Sequence, residues 1–260
     1  MTIEIRGLLI DLDGVLYVGD RPIEGAVNAI RFLEDNDYRF RFLSNTTRKC
    51  RRTIMQRLSG MGFSMPEEYI FTPALATVHW LKNTNKRSYY LLTTGDVEKD
   101  FASAQADRRD ENVDVVIIGD AGDSITYKSM NIAFRNLLEG AELIALEKDK
   151  YWMAEDGLSL SAGPFVDALE FASGKTALLM GKPSKSFFEL ALQDMELPPE
   201  NVAMIGDDII TDIGGASHAG MKSILVRTGK FREEAVLKAP VRPAFTIDSI
   251  ADIRNLLTIH

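Results

Sequence analysis

Four short apolar runs in this chain each stop at a polar or glycine-rich turn. They are Gly7-Leu8-Leu9-Ile10-Asp11, Phe40-Arg41-Phe42-Leu43-Ser44, Ala177-Leu178-Leu179-Met180-Gly181 and Val202-Ala203-Met204-Ile205-Gly206. A fifth, Ile224-Leu225-Val226, ends at Arg227-Thr228-Gly229. Runs this short and this continuously apolar predict strands buried on both faces of a parallel sheet, since a half-solvated strand would alternate. Stretches with helical spacing lie between them: Ala26, Ile30 and Leu33; Ile54, Met55 and Leu58; and Phe187, Phe188, Ala191 and Leu192 after the start signal Pro183-Ser184. A last helix is expected from Asp248 or Ser249, with Ile250, Ile253 and Leu257 turned inward. Strands alternating with helices imply right-handed crossovers and an α/β fold built on a doubly wound parallel sheet.

The middle of the chain carries further strand patterns at Tyr89–Leu92, Val113–Ile118 and Leu143–Leu146, and a helix pattern through Asn131, Phe134, Leu137 and Leu138. The polar stretch from Ala104 to Asn112 reads as a surface loop or an irregular helix end. The segment is long enough for a small α/β domain of its own. The expected division is therefore residues 1–73 with 175–260 as one domain, and 74–174 as an inserted one.

Doubly wound sheets bind ligands beyond the carboxyl ends of their strands. Those ends here carry Asp11 and Asp13, Ser44 to Thr46, Lys182, and Asp207 with Asp208. Each segment alone has a plain structural reading. Asp11-Leu12-Asp13-Gly14 is equally a solvated acidic turn with glycine at a positive φ, or a pair of hard oxygen ligands for a magnesium ion. Ser44-Asn45-Thr46-Thr47, taken alone, reads first as a plain helix N-cap and only second as a phosphate-binding turn. A lone lysine such as Lys182 is usually solvated. Three acids, Asp207, Asp208 and Asp212, after one apolar strand are costly without a cation or a helix N-terminus to compensate them. Segments far apart in sequence thus deliver acids, hydroxyls and one lysine to a single sheet edge, and that convergence marks the edge as the candidate site.

Composition narrows the function classes. The chain has 260 residues, 45% apolar and 26% charged, as in an ordinary globular protein of one large or two smaller domains. Its net charge of −8 argues against a nucleic-acid surface, and the basic run Arg48–Arg52 reads as the solvated start of a helix. The single cysteine, Cys50, excludes an intrachain disulfide framework and fits a reducing compartment. With no signal-like leader and no long apolar span, a cytoplasmic location without membrane contact is expected. His79, His218 and His260 form no ligand-spaced pair, and Trp80 and Trp152 read as packing residues of the insertion.

Taken in this order and spacing, the four segments resemble the signature motifs of the haloacid dehalogenase superfamily of phosphohydrolases. The insertion resembles the large α/β cap of its NagD-like branch. Gly163-Pro164-Phe165 with its following helix, and Tyr127 to Leu137, resemble the subgroup of haloacid dehalogenase-like hydrolase domain-containing proteins within that branch. The resemblance implies a Rossmann-like core and a Mg2+-dependent phosphatase of small phosphate monoesters. It makes Asp11 the nucleophile and Asp13 the acid and base, with Ser44, Asn45, Thr46 and Lys182 binding phosphate. It implies a metal held by Asp11, the Asp13 backbone carbonyl and Asp207, with Asp208 and Asp212 orienting its waters. It also implies a small phosphorylated metabolite as partner and suggests a cap-mediated homodimer. Two rivals stay open on sequence: a non-catalytic phosphate-binding or regulatory module on the same fold, and a receiver domain. The receiver domain would need only about half this length and would carry its acceptor aspartate on a middle strand.

Overall fold

The computed structural model describes residues 5–154 and 156–258. The chain forms two compact units. One runs to Ser44, resumes over Arg52–Phe71 and again from Lys182 onward; the other comprises Asn45–Arg51 and Thr72–Gly181.

The first unit is built on a six-stranded parallel sheet. Its order is Phe245–Ile247, Lys222–Val226, Val202–Gly206, Gly7–Asp11, Arg39–Leu43 and Ile70–Phe71. The central strands are buried along their whole length, which is why they read as continuous apolar runs. Leu8 and Ile10 belong to the core that takes in Ala26, Ile30 and Leu33 of the helix Ala26–Asp35, together with Ile54 and Leu58. Against the other face packs the helix Lys185–Met195, where Phe187 meets Phe71 at 5.4 Å and Asp194 pairs with Arg41 at 2.7 Å. Each fully buried aliphatic side chain of these layers contributes about 1.5–3 kcal/mol relative to an exposed one. The C-terminal turn begins at Ser249, whose side chain caps Ile250–Asp252 before the helix Ile253–Thr258.

The second unit has its own five-stranded parallel sheet, ordered Leu178–Leu179, Glu142–Ala145, Val115–Ile118, Ser88–Leu92 and Asp107–Arg108. Two sequence expectations are corrected here. The run Ala177–Gly181 was expected in the first sheet, but Leu178 and Leu179 pair with Ile144 and Ala145 at the edge of the second. Both are only half-buried, as suits an edge strand; apolar character marked the strand but not its partner. The polar stretch Ala104–Asn112 contains a short strand, Asp107–Arg108, on the opposite edge, where charged side chains are tolerated. On the helix Tyr127–Leu138 the buried face is Ala133, Asn136 and Leu137, whereas Leu138 is exposed.

The basic run is not simply solvated. Arg48 faces Asp120 at 3.7 Å, Arg51 faces Asp100 at 3.5 Å, and the Cys50 amide donates to Asp96 Oδ1 at 2.9 Å, all within the second unit. Trp152 does not pack as expected either. It sits on the hairpin Tyr151–Ala154/Gly157–Leu160, is 40% exposed and stacks 5.3 Å from the Arg48 guanidinium. With Arg48, Asp120 and Phe165 it lines an open cavity of about 360 Å³ in this unit. Among the described residues no helix is long and apolar enough to cross a membrane.

Candidate active site

The first unit carries a topological switch. From Gly7–Asp11 the chain moves to one side through Arg39–Leu43 and Ile70–Phe71, then returns to the other side through Val202–Gly206, Lys222–Val226 and Phe245–Ile247. The carboxyl ends beside such a reversal form a ligand crevice. Asp11 ends one of the two strands flanking it, and Asp207 follows the other; they are 8% and 2% exposed.

Lys182 and Asp212 complete a buried cluster with them. The Lys182 ammonium donates to Asp11 Oδ1 at 2.5 Å and to Asp212 Oδ1 at 2.6 Å. Burial alone would lower the ammonium's pKa, but the two facing carboxylates outweigh it and hold it above its ordinary value. Burial also dominates at the acids. Burial, with the Asp207 charge adding to it, raises Asp11 despite the Lys182 ammonium, and burial pushes Asp207 and Asp212 each up to about 6. Oxygens of Asp11, Asp207 and Asp212 all lie within 4.8 Å of one another. Three buried carboxylates thus share one ammonium, leaving surplus negative charge where burial penalises it most. The donor set is all hard oxygen, and a small divalent cation fits it in both charge and ligand type. Among the described residues no histidine belongs to this cluster; His260 lies outside them.

The remaining acids divide by what their oxygens already hold. Asp212 Oδ2 accepts from the Asp208 amide at 3.1 Å, so both Asp212 oxygens are engaged and its first role is to hold Lys182. Asp208 Oδ1 accepts from the Ile210 and Thr211 amides at 2.8 and 3.0 Å, capping the π-helical turn Ile209–Gly214 that carries Asp212 inward. The Asp13 side chain is exposed. Ser44 follows the strand beside Asp11, with its amide donating to the Phe71 carbonyl at 3.2 Å. Asn45 and Thr46 fall in the second unit, where the Asn45 side chain lies against Gly181, the residue before Lys182.

Sequence reasoning missed the loop Thr228–Lys230. The Lys230 amide donates to Asp207 Oδ2 at 2.6 Å, and Thr228 Oγ1 donates to the Gly14 carbonyl at 2.5 Å. Gly14 (φ +86°) and Gly229 (φ +60°) both hold left-handed backbone, and a Cβ on either would overlap the Asp207 carboxylate. The available signal was a glycine just past the strand ending at Val226. Gly229→Ala should therefore lower stability by roughly 1–3 kcal/mol and disturb the candidate cation site together, weakening any binding of magnesium used as the probe. Gly19→Ala, also at positive φ (+57°) but in open space, should leave magnesium binding unchanged. Thermal melts and calorimetric titration with magnesium check both variants; equal magnesium affinity in the two would contradict this placement of Asp207.

Residues 8–107 match the haloacid dehalogenase-like hydrolase model, and residues 179–253 match the HAD-hydrolase-like model. The Homo sapiens phospholysine phosphohistidine inorganic pyrophosphate phosphatase is 38% identical over 262 residues, covering 98% of this chain and 95% of that protein. The chain belongs to the haloacid dehalogenase-like hydrolases. Another relative of this hydrolase, haloacid dehalogenase-like hydrolase domain-containing protein 2 from Rattus norvegicus, is 39% identical over 245 residues, covering 94% of this chain and 93% of the relative. Among solved structures, NagD from the E.coli K-12 strain aligns with a TM-score of 0.88 at 26% identity, over 96% of this chain and 98% of that one. The 4-nitrophenylphosphatase from Thermotoga maritima aligns with a TM-score of 0.89 at 27% identity, over 97% of both chains. This haloacid dehalogenase-like hydrolase is thus of the NagD-like branch, with a Rossmann-like core and a cap, and it is an enzyme of the phosphatase type. The non-catalytic reading and the receiver-domain reading left open by the sequence both fall away.

Proposed function

We propose that this hydrolase is a magnesium-dependent phosphatase that cleaves small phosphate monoesters through an aspartyl-phosphate on Asp11. The observation that carries the reading is the buried Asp11–Lys182–Asp212 arrangement with Asp207 beside it at the switch point of the sheet.

In this reading an Asp11 carboxylate oxygen attacks phosphorus in line, forming an O–P bond as the bond from phosphorus to the alcohol oxygen breaks. Asp13, exposed two residues beyond the strand end, gives its proton to the departing oxygen. As a carboxylate it then takes a proton from water, which attacks phosphorus, frees phosphate and returns Asp11 to its starting state. Lys182 keeps its charge through the cycle and faces the negative charge that builds on the phosphoryl group. Ser44, Asn45 and Thr46 bind phosphoryl oxygens. Asp11, the Asp13 backbone carbonyl and Asp207 would hold the magnesium ion, with Asp208 and Asp212 behind them. When bound, the ion neutralises phosphate charge and orients the displacement.

The second unit is assigned as a cap that selects small phosphorylated metabolites, and the protein is proposed to work in the cytoplasm, as a homodimer through that cap. The test of the chemical reading is hydrolysis of p-nitrophenyl phosphate with magnesium, after chelation, and with calcium in place of magnesium. Activity should vanish on chelation, return with magnesium and stay low with calcium, whose larger and looser shell spoils in-line geometry. Full activity after exhaustive chelation would overturn the metal assignment.

A further inference from the structure

If Asp13 is the acid and base, as proposed above, something must hold it. Its side chain is exposed and makes no hydrogen bond or ion pair among the described residues. Its aim is therefore set by its backbone, which is braced by Thr228, at the Gly14 carbonyl, and by Tyr17. Asp13 bridges to Tyr17, and the Gly14 amide donates to the Tyr17 carbonyl at 2.7 Å. Tyr17 opens a two-stranded hairpin, Tyr17–Val18 with Arg21–Pro22, whose strands of two residues each cannot stand alone.

Besides the packing of Tyr17 in the core, the hairpin is held by Arg57, from the helix Arg51–Gly60. Its guanidinium lies 4.7 Å from the centre of the Tyr17 ring, which is 6% exposed. The same group donates to the Gly19 carbonyl at 2.7 Å, in the hairpin turn, and to Asp20 Oδ1 at 3.0 Å. The Asp20 side chain is 94% exposed, so that ion pair is screened and adds little. The ring face and the turn carbonyl are the two grips, one at each end of the hairpin. Arginine suits both at once, because its planar cation stacks on an aromatic face while its edge donates.

We infer that Arg57 is a positioning residue for the chemistry: by clamping Tyr17 and the Gly19 turn it fixes the backbone that aims Asp13. Arg57 touches none of the reacting atoms; its loss acts through the Asp13 backbone, whose carbonyl is also proposed to hold magnesium, so all variants are compared at saturating magnesium. Loss of aim affects the two half-reactions differently. Ejecting p-nitrophenolate needs little help from an acid, whereas an alkoxide needs a proton, and hydrolysis of the phosphorylated Asp11 needs a base.

The magnesium-loaded enzyme and its variants are mixed rapidly with p-nitrophenyl phosphate, and separately assayed with a simple alkyl phosphate. Arg57→Ala should show a p-nitrophenolate burst raised above wild type toward one per enzyme, followed by a steady state about tenfold slower. Turnover of the alkyl ester should fall further than the burst rate. Asp13→Asn should show the same pattern more strongly; if it does not, the Asp13 assignment fails, independently of Arg57. Tyr17→Leu should resemble Arg57→Ala, and the double variant should be no slower than the slower single, since both remove one contact. Asp20→Ala should behave as wild type. Wild-type rates in Arg57→Ala, equal loss in both phases, or additive effects with Tyr17→Leu would each overturn the inference. Should Arg57→Ala not fold, Arg57→Lys carries the test: it keeps a cation for the ring but has a shorter reach to the turn, and absence of any raised burst would overturn the inference.

Discussion

Asp11→Asn should lower kcat for p-nitrophenyl phosphate by about a thousandfold or more, because an amide cannot form the acyl phosphate through which turnover is proposed to run. The fold should survive. An asparagine oxygen still accepts from the Lys182 ammonium, and Lys182 keeps its 2.6 Å contact with Asp212. One buried negative charge is also removed from a cluster that carries too many. The melting temperature should therefore stay within a few degrees of wild type, measured with and without magnesium. Retention of more than a few per cent of activity in a preparation free of deamidated protein would exclude Asp11 as the nucleophile.

The second large effect is expected at Lys182, and it separates charge from shape. Lys182→Met keeps the apolar stem but leaves Asp11 and Asp212 buried without their ammonium. Breaking a buried ion pair from one side costs about 3–5 kcal/mol, so the metal-free variant should be that much less stable at neutral pH. The deficit should depend on pH with a definite sign. Asp212 already titrates at about 6 in the folded wild type, above the ordinary carboxylate value near 4, and the missing cation raises it further. An acid whose pKa is higher in the folded state binds its proton more tightly when folded, so folding strengthens as pH falls from above the folded value towards the unfolded one. Urea unfolding in chelator at pH values from about 8 to about 5 should show the gap to wild type narrowing as pH falls. A gap that stays constant or widens would mean that Lys182 does not compensate these carboxylates. Activity of this variant should be lost throughout.

How much of this could be seen in the sequence follows from where each feature gets its signal. Asp11, Asp207 and Lys182 stand at the ends of apolar runs, and strand ends are what hydrophobic patterning marks best. Pairing is another matter: Leu178–Leu179 shows the same apolar character as the central strands yet belongs to the second sheet, since partner choice depends on contacts 30 or more residues away. The edge strand Asp107–Arg108 is charged and two residues long, so it has no period to detect. Asp212 was legible as an acid but not as the residue holding Lys182, because that contact depends on the π-helical turn that swings it inward. Thr228, Gly229 and Arg57 act through contacts distant in sequence, 214 residues apart in the case of Thr228 and Gly14, and nothing local announces them.

The most direct test of the account is to capture the bond to Asp11. Enzyme quenched during turnover of p-nitrophenyl phosphate is reduced with borohydride, which converts an acyl phosphate to an alcohol, and the peptide containing Gly7–Asp11 is sequenced by mass spectrometry. Homoserine is expected at position 11, present only when substrate and magnesium are supplied and absent from Asp11→Asn. An unmodified Asp11 in enzyme quenched at a demonstrated phenolate burst, or a reduced residue at Asp13 or Asp207 instead, would contradict it.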